Sequence, residues 1–432
     1  MRSRALASRA AYLCACAFVT VFYLFLPFGG YLRMMEGKTA CFFALSIGCL
    51  AAVVCAAPAD KPRMTPMRCC VWAYLGFSAL SALFSPFGTK TLLGGTRNEG
   101  LLVIALYVGL FFCFARYAAP DRRLLYLAAS AVSLCALLVL VQTAGYDPFG
   151  LYPKGLNYYD GDVAYAGFFA GTSGNADFTA FLLALALSAM LAAMLREKLW
   201  QLSPAIVLAV AALLRLGISG PLLGLGFAAL WSPALLWPEK KRAMLLLSAA
   251  LSVCAMAFVF FYDGGSRTLW EASRLLHGEA DDAFGSGRLA IWRACVPLIR
   301  ERPLFGGGPD TLWLRGMEPF AWRHEGIVTP SDITAAHNEY LNILVNQGAF
   351  ALAAYLALLA LALVRCFRRA EEPRYAVCGV ALLCYAAMAM FSISSCITAP
   401  FVWMLLAYAQ DDGTFDAAES DFVQRAEIRV EM

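Results

Sequence analysis

The chain has 432 residues, of which 61% are hydrophobic and only 15% charged, and its mean hydropathy is +0.66. A water-soluble domain needs more polar surface than this, so the composition excludes one and points to a polytopic membrane protein. The net charge of +4 is small and follows from the topology set out next, so it gives no reason to expect a nucleic-acid partner.

Stretches of about 18 or more apolar residues each suffice for one crossing of a bilayer. In chain order they fall near 10–28, 40–57, 68–85, 99–119, 122–143, 175–195, 200–217, 219–237, 243–262, 338–364, 376–393 and 396–410. They predict an all-α polytopic membrane protein of about twelve transmembrane helices. The opening MRSRALASR leads into an apolar block with no small-residue cleavage signature, which reads as an uncleaved first helix. With the N-terminus inside, the inner segments hold twenty Lys and Arg; the short outer loops hold five, namely Arg33, Lys38, Lys90, Arg97 and Lys154. That bias places both termini in the cytoplasm. The resulting division is 1–262 with nine helices and an outer loop at 144–174, an extracytoplasmic loop at 263–337, three further helices in 338–410, and a cytoplasmic tail at 411–432. Nearly all of the fifteen cysteines lie in apolar spans and read as small buried hydrophobes, neither a disulfide framework nor a metal cluster.

A charge in the bilayer is costly, so the tolerated polar groups are the informative ones. In GGTRNEGLLVIALYVGLFF, residues 94–112, Arg97, Asn98 and Glu99 precede the fourth span. The plain reading is a helix start, with Asn98 as cap and Glu99 beside the positive end of the dipole. The loop 144–174 is rich in Tyr, Gly and Asp, and its aromatics suit either an interfacial belt or a stacking platform for sugars. Asn175 and Asp177 then open a helix, where a cap again suffices. Arg215 lies inside a span about one turn from its outer end, and snorkelling and facing a wet cavity are equal alternatives.

The loop 263–337 holds eight arginines and no lysine. Its segment GSGRLAIWRACVPLIRERPLFGGGPDTL sets Leu289, Trp292, Cys295, Val296 and Ile299 at helical spacing, which predicts an amphipathic helix lying at the membrane surface, kinked at Pro297. Ser286 is the expected N-cap, which puts Arg288 in the first turn, where an anion on the free N–H groups would offset its charge. Arginine grips phosphate with a planar two-pronged donor, and no nucleotide fingerprint is present, so a lipid-linked phosphate is the simplest ligand. His337, one of three histidines, stands where this loop meets the next helix. It has no compact partners for a metal, and capping, packing and general-base roles all stay open.

GGTRNEGLL, GTSGNADFTAFLLAL, ISGPLLGLG, SGRLAIWRACVPLIRERPLFGGGPDTL and AHNEYLNILVNQGAFAL occur in the order found in the O-antigen ligase and polymerase family, and from about residue 90 to 365 the chain resembles that family. The resemblance implies a membrane glycosyltransferase in the bacterial inner membrane. Its donor is an undecaprenyl-pyrophosphate-linked glycan, and its acceptor is a hydroxyl on lipid A-core or on a growing glycan. The lipid bilayer is a further partner, and neither metal nor cofactor is implied. It makes 263–337 the catalytic loop, with the site on the outer, periplasmic face. Carried over by motif, His337 is the base that activates the acceptor, Arg288 a pyrophosphate contact, and Arg97 the arginine of the earlier loop. Asn338, Glu339 and Asn175 stand beside them as substrate-binding candidates. A family arginine before the small-apolar run is replaced here by Ser219; Arg215, four residues earlier, would supply its charge if the helix is continuous. A polymerase of the same family is the nearest alternative. A transporter or flippase of an anionic lipid is the rival class, disfavoured because the polar residues gather on one side and no inverted repeat is visible.

Overall fold

The structure, a computed structural model, describes residues 2–57, 63–95, 97–159, 167–316, 320–324, 327–331 and 333–410. The tail 411–432, with Arg425 and Arg429 of the charge count, lies outside the described residues, as do Lys61 and residues 160–166 of the outer loop. Sixteen helices follow one another among the described residues: α1 (Arg2–Ala17), α2 (Met34–Ala56), α3 (Pro66–Leu83), α4 (Lys90–Leu93), α5 (Leu101–Tyr117), α6 (Arg122–Thr143), α7 (Ala176–Glu197) and α8 (Ser203–Leu216). They continue with α9 (Ser219–Trp231), α10 (Pro233–Leu236), α11 (Lys241–Phe260), α12 (Arg267–Leu276), α13 (Arg288–Glu301), α14 (Glu339–Arg368), α15 (Pro373–Met388) and α16 (Ala399–Ala409). A short hairpin of β1 (Phe320–His324) and β2 (Ile327–Ser331) precedes α14.

Every expected span overlaps at least one helix, and 219–237 overlaps two, α9 and α10. Six segments are long and apolar enough to cross a membrane by length and composition: Ser3–Phe22, Tyr31–Ala56, Arg122–Thr143, Ala176–Glu197, Pro238–Phe260 and Glu339–Arg368. Five shorter apolar helices lie beside them, from Leu101–Tyr117 to Ala399–Ala409. Local signals start the helices. Thr65 caps α3 with Pro66 behind it, Asp121 caps α6, and Gly217 closes α8 in the left-handed conformation. The interior is built from α7 and α15, whose buried alanines and Gly379 let helices approach closely. All fifteen cysteines are free thiols.

The structure corrects several expectations. Lys38 does not lie in an outer loop; it is buried in α2 and donates to the carbonyls of Phe22 (2.5 Å) and Tyr23 (3.1 Å), where the first helix ends. Removing it from the outer count only steepens the charge bias. The aromatics of 144–174 do not act as one belt. Tyr152 and Phe169 pack around Tyr31 inside the protein, and Tyr152 donates to the Phe169 carbonyl at 2.8 Å, whereas Tyr146, Phe149 and Phe168 are exposed. Helix α12 and the hairpin were not expected in the long loop. Nor does α13 offer its apolar face to lipid: Cys295 is buried in a small core with Leu312, Ala336 and Val345, against which Leu298 and Ile299 pack.

That small core leads to the main irregularity. Helix α14 is broken at Gly348, which has φ 86° and ψ 177°. The loop 302–308 fills the break. Gly307 N–H donates to Val345 O (3.2 Å) and Gly308 N–H to Asn346 O (2.7 Å), while Ala349 N–H donates to Pro303 O (2.9 Å). From below, Ser78 and Ser81 of α3 donate to Gln347 Oε1 (2.8 Å) and Asn346 O (3.1 Å). Backbone groups freed at membrane depth need protein partners, and here they have them.

Candidate functional site

Asn338 caps α14, accepting from Leu341 N–H at 3.1 Å, so His337 is not the cap. The turn is pinned on both sides. Trp292 Nε1 donates to Ala336 O at 3.0 Å, and Ala336 N–H donates to Asn342 Oδ1 at 3.2 Å. Glu339 is buried and turned away: its carboxylate accepts from Ser394 N–H at 2.6 Å, and its own N–H donates to Ala389 O at 2.8 Å. His337 is thereby left in the left-handed region (φ 49°), and its imidazole makes no hydrogen bond among the described residues. Burial, then the charges of Arg97 and Arg288, push its pKa down to about 3. Both arginines therefore lie within electrostatic reach of the ring.

Arg288 is the first residue of α13. Its cap is Gly287, with φ 81°, not Ser286, whose own φ of 56° leaves it outside the helix. No side chain caps this helix; the Arg288 N–H donates to Gly285 O at 3.3 Å, which leaves the N–H groups of Leu289 and Ala290 open to an anion. Arg288 spends one Nη on Gly285 O (2.9 Å), and its Nε is buried with no hydrogen-bond partner among the described residues.

Arg97 lies in a loop before α5, over the ring of Phe178 at 5.7 Å. The sequence reading of this loop as a cap does not hold. Gly100 is the cap, Asn98 instead donates to Thr39 Oγ1 at 3.1 Å, and Glu99 accepts from the Tyr107 hydroxyl at 2.6 Å. Burial lifts the Glu99 carboxyl well above the usual carboxylate range. The loop hangs on Asp310, which sequence reasoning missed. Asp310 Oδ2 accepts from the N–H groups of Gly95 (2.7 Å) and Glu99 (3.2 Å), and the Arg97 N–H also faces it. Burial raises the Asp310 pKa, opposed by those amides and by the Arg97 charge. Burial lowers the Arg97 pKa, opposed by Asp310 and Asp177. Asp177, which the sequence presents only as part of a helix start, completes the cluster within reach of both Arg97 and Arg288. The available signal was the pairing of GPD with a glycine loop, but no sequence pattern pairs residues 94–100 with 310.

Two other candidates have local partners. Asn175 is a helix cap, its side chain accepting from Asp177 N–H (2.8 Å) and Phe178 N–H (3.2 Å). Arg215 does not share a helix with Ser219, because α8 ends at Gly217 and α9 begins at Ser219. It donates to Thr143 O (2.9 Å) and the Tyr159 hydroxyl (2.8 Å), so it closes the C-terminal end of α6, where a cation is favoured. Ser219 instead meets Thr268 of α12 at 3.1 Å. Among the described residues no group of three or more His, Cys, Asp or Glu gathers as metal ligands do.

The arrangement is a helical membrane protein with two arginines, two aspartates and a neutral histidine drawn together from five separate segments. Residues 204–356 match the family model described as O-Antigen ligase, a match that takes in Arg215, Arg288 and His337. The match covers about a third of the chain and is to the family that its motifs resemble. No curated protein matches the chain.

Proposed function

We propose that this protein transfers a glycan from undecaprenyl pyrophosphate to an acceptor hydroxyl, as an O-antigen ligase acting on lipid A-core at the outer face of the inner membrane. The observation that carries this reading is that Arg97 and Arg288 both lie within electrostatic reach of His337, with Arg288 at the start of α13, which no side chain caps. The acceptor oxygen attacks the anomeric carbon, and the bond from that carbon to the pyrophosphate oxygen breaks. Arg97, Arg288 and the open α13 amides stabilise the charge that grows on the leaving group, which departs as undecaprenyl pyrophosphate. His337 takes the proton of the attacking hydroxyl.

A histidine with a pKa near 3 is a feeble base, and one cause of its weakness also supplies part of the remedy. Burial is the larger cause, and the two arginine charges add to it when the site is empty. A bound pyrophosphate neutralises the arginine charges, so the imidazole gains basicity when the donor is in place. The direct test is His337→Ala in purified protein, which should abolish transfer while leaving membrane insertion and donor binding intact. Transfer at the parental rate by that variant would remove His337 from the mechanism.

A further inference from the structure

Asp310 lies outside the charged set implied by the family motifs, yet three observations converge on it. It is 6% exposed, it holds a left-handed backbone conformation without being glycine (φ 50°), and its carboxylate gathers the amides of the Arg97 loop. Its own turn is fixed from the other side. Thr311 and Leu312 N–H both donate to Asn346 Oδ1, at 3.0 and 2.9 Å, and Asn346 stands two residues before the break in α14. A continuous chain of bonds therefore runs from the broken helix through Asn346 and the 310–312 turn to the loop that presents Arg97. Gly94 makes the close approach possible, because a side chain there would strike the Asp310 carboxylate. A loop held only by its own glycines would let Arg97 wander, and a guanidinium that must meet charge developing in the transition state loses most of its value when it is not held in place.

We infer that Asp310 is a positioning residue that holds the 94–100 loop by its backbone so that Arg97 faces His337 and the pyrophosphate. Asp310 touches neither reacting group and acts through Arg97. This role rests on the reading of the site as one for a lipid pyrophosphate, and the experiment separates the two.

The test is a double-mutant cycle of Arg97→Ala and Asp310→Ala, read as binding of undecaprenyl pyrophosphate to the full-length protein in detergent. Each single change should weaken binding about tenfold or more, and the double variant should be no worse than Arg97→Ala alone. Losses that multiply in the double variant, or parental binding by Asp310→Ala, overturn the inference. Asp310→Asn keeps an acceptor oxygen for the amides and serves where the alanine variant does not fold. If the parent protein fails to bind the lipid, it is the proposed function that falls. Hydrogen exchange of the 94–100 peptide then decides the inference: slow exchange in the parent and release in the Asp310 variant sustain it, and unchanged exchange overturns it.

Discussion

Asn98, Ser286, Asp310 and His337 all hold left-handed backbone conformations, and each flanks the arginine–histidine cluster. A non-glycine residue there costs about 1–3 kcal/mol, and such strain persists only where the surroundings enforce it. For His337 the enforcement comes from the Asn338 cap and the Trp292 indole, which hold the turn within electrostatic reach of two cations. Its folded pKa of about 3 lies below the unfolded value near 6.5. The folded protein thus sheds the proton that the unfolded chain takes up, so this contribution to stability is full above pH 6.5 and is lost as pH falls toward 3. In a variant lacking His277 and His324, the ring proton resonances of His337 should not move between pH 5 and 8. Adding undecaprenyl pyrophosphate should bring a titration into that window. A midpoint near 6.5 in the ligand-free protein would show that the arginines do not act on this ring. The residue types of the site were readable in sequence because Arg288 and His337 sit in ordered motifs. The roles of Asp310 and Asp177 were not, because their partners come from segments far away in the chain.

At the scale of single elements, helix starts were the most legible feature and helix interruptions the least. Asn175 caps α7 through a local side-chain bond, which a sequence states directly. Gly348 in NQGAF looks like any helix glycine, and only the inserted 302–308 loop shows why the helix must open there. Gly348→Ala should therefore be severe, since its φ of 86° suits glycine and a Cβ would collide with the Leu304 carbonyl. A loss of about 1–3 kcal/mol, seen as a lowered thermal midpoint in detergent, is the expected outcome. Gly76, in the middle of α3, has ordinary helical backbone, and a methyl group added there would meet no neighbouring atom within 4 Å. Gly76→Ala should be neutral or gain up to about 1 kcal/mol. Equal losses at the two glycines would mean that the break carries no special constraint. The same limit explains Arg215: sequence spacing presumes an unbroken helix, and the turn at Gly217 removes the presumption.

For the molecule as a whole, hydropathy located every helix that reaches membrane length, because apolar composition is a local property. It could not place α12 or show that α13 packs on protein, because short amphipathic helices in a loop depend on what covers them. The basic-residue bias still makes a firm prediction about sidedness. Alkaline phosphatase fused after Gly278 should be active, and the same enzyme fused after Lys240 should be inactive. The opposite pattern would invert the topology and move the site to the cytoplasmic face. Sidedness also bears on how the protein is made. The carbonyls of Val345 and Asn346 and the amide of Ala349 are satisfied by residues 303–308, which precede α14 in the chain and, with the predicted sidedness, are translocated before it is complete. Until that loop has crossed, α14 enters the lipid with unmet backbone groups, each costing several kcal/mol. With that sidedness the final helices settle only after export of the loop ahead of them, so the predicted order of biogenesis follows from the bonds that bridge one interrupted helix.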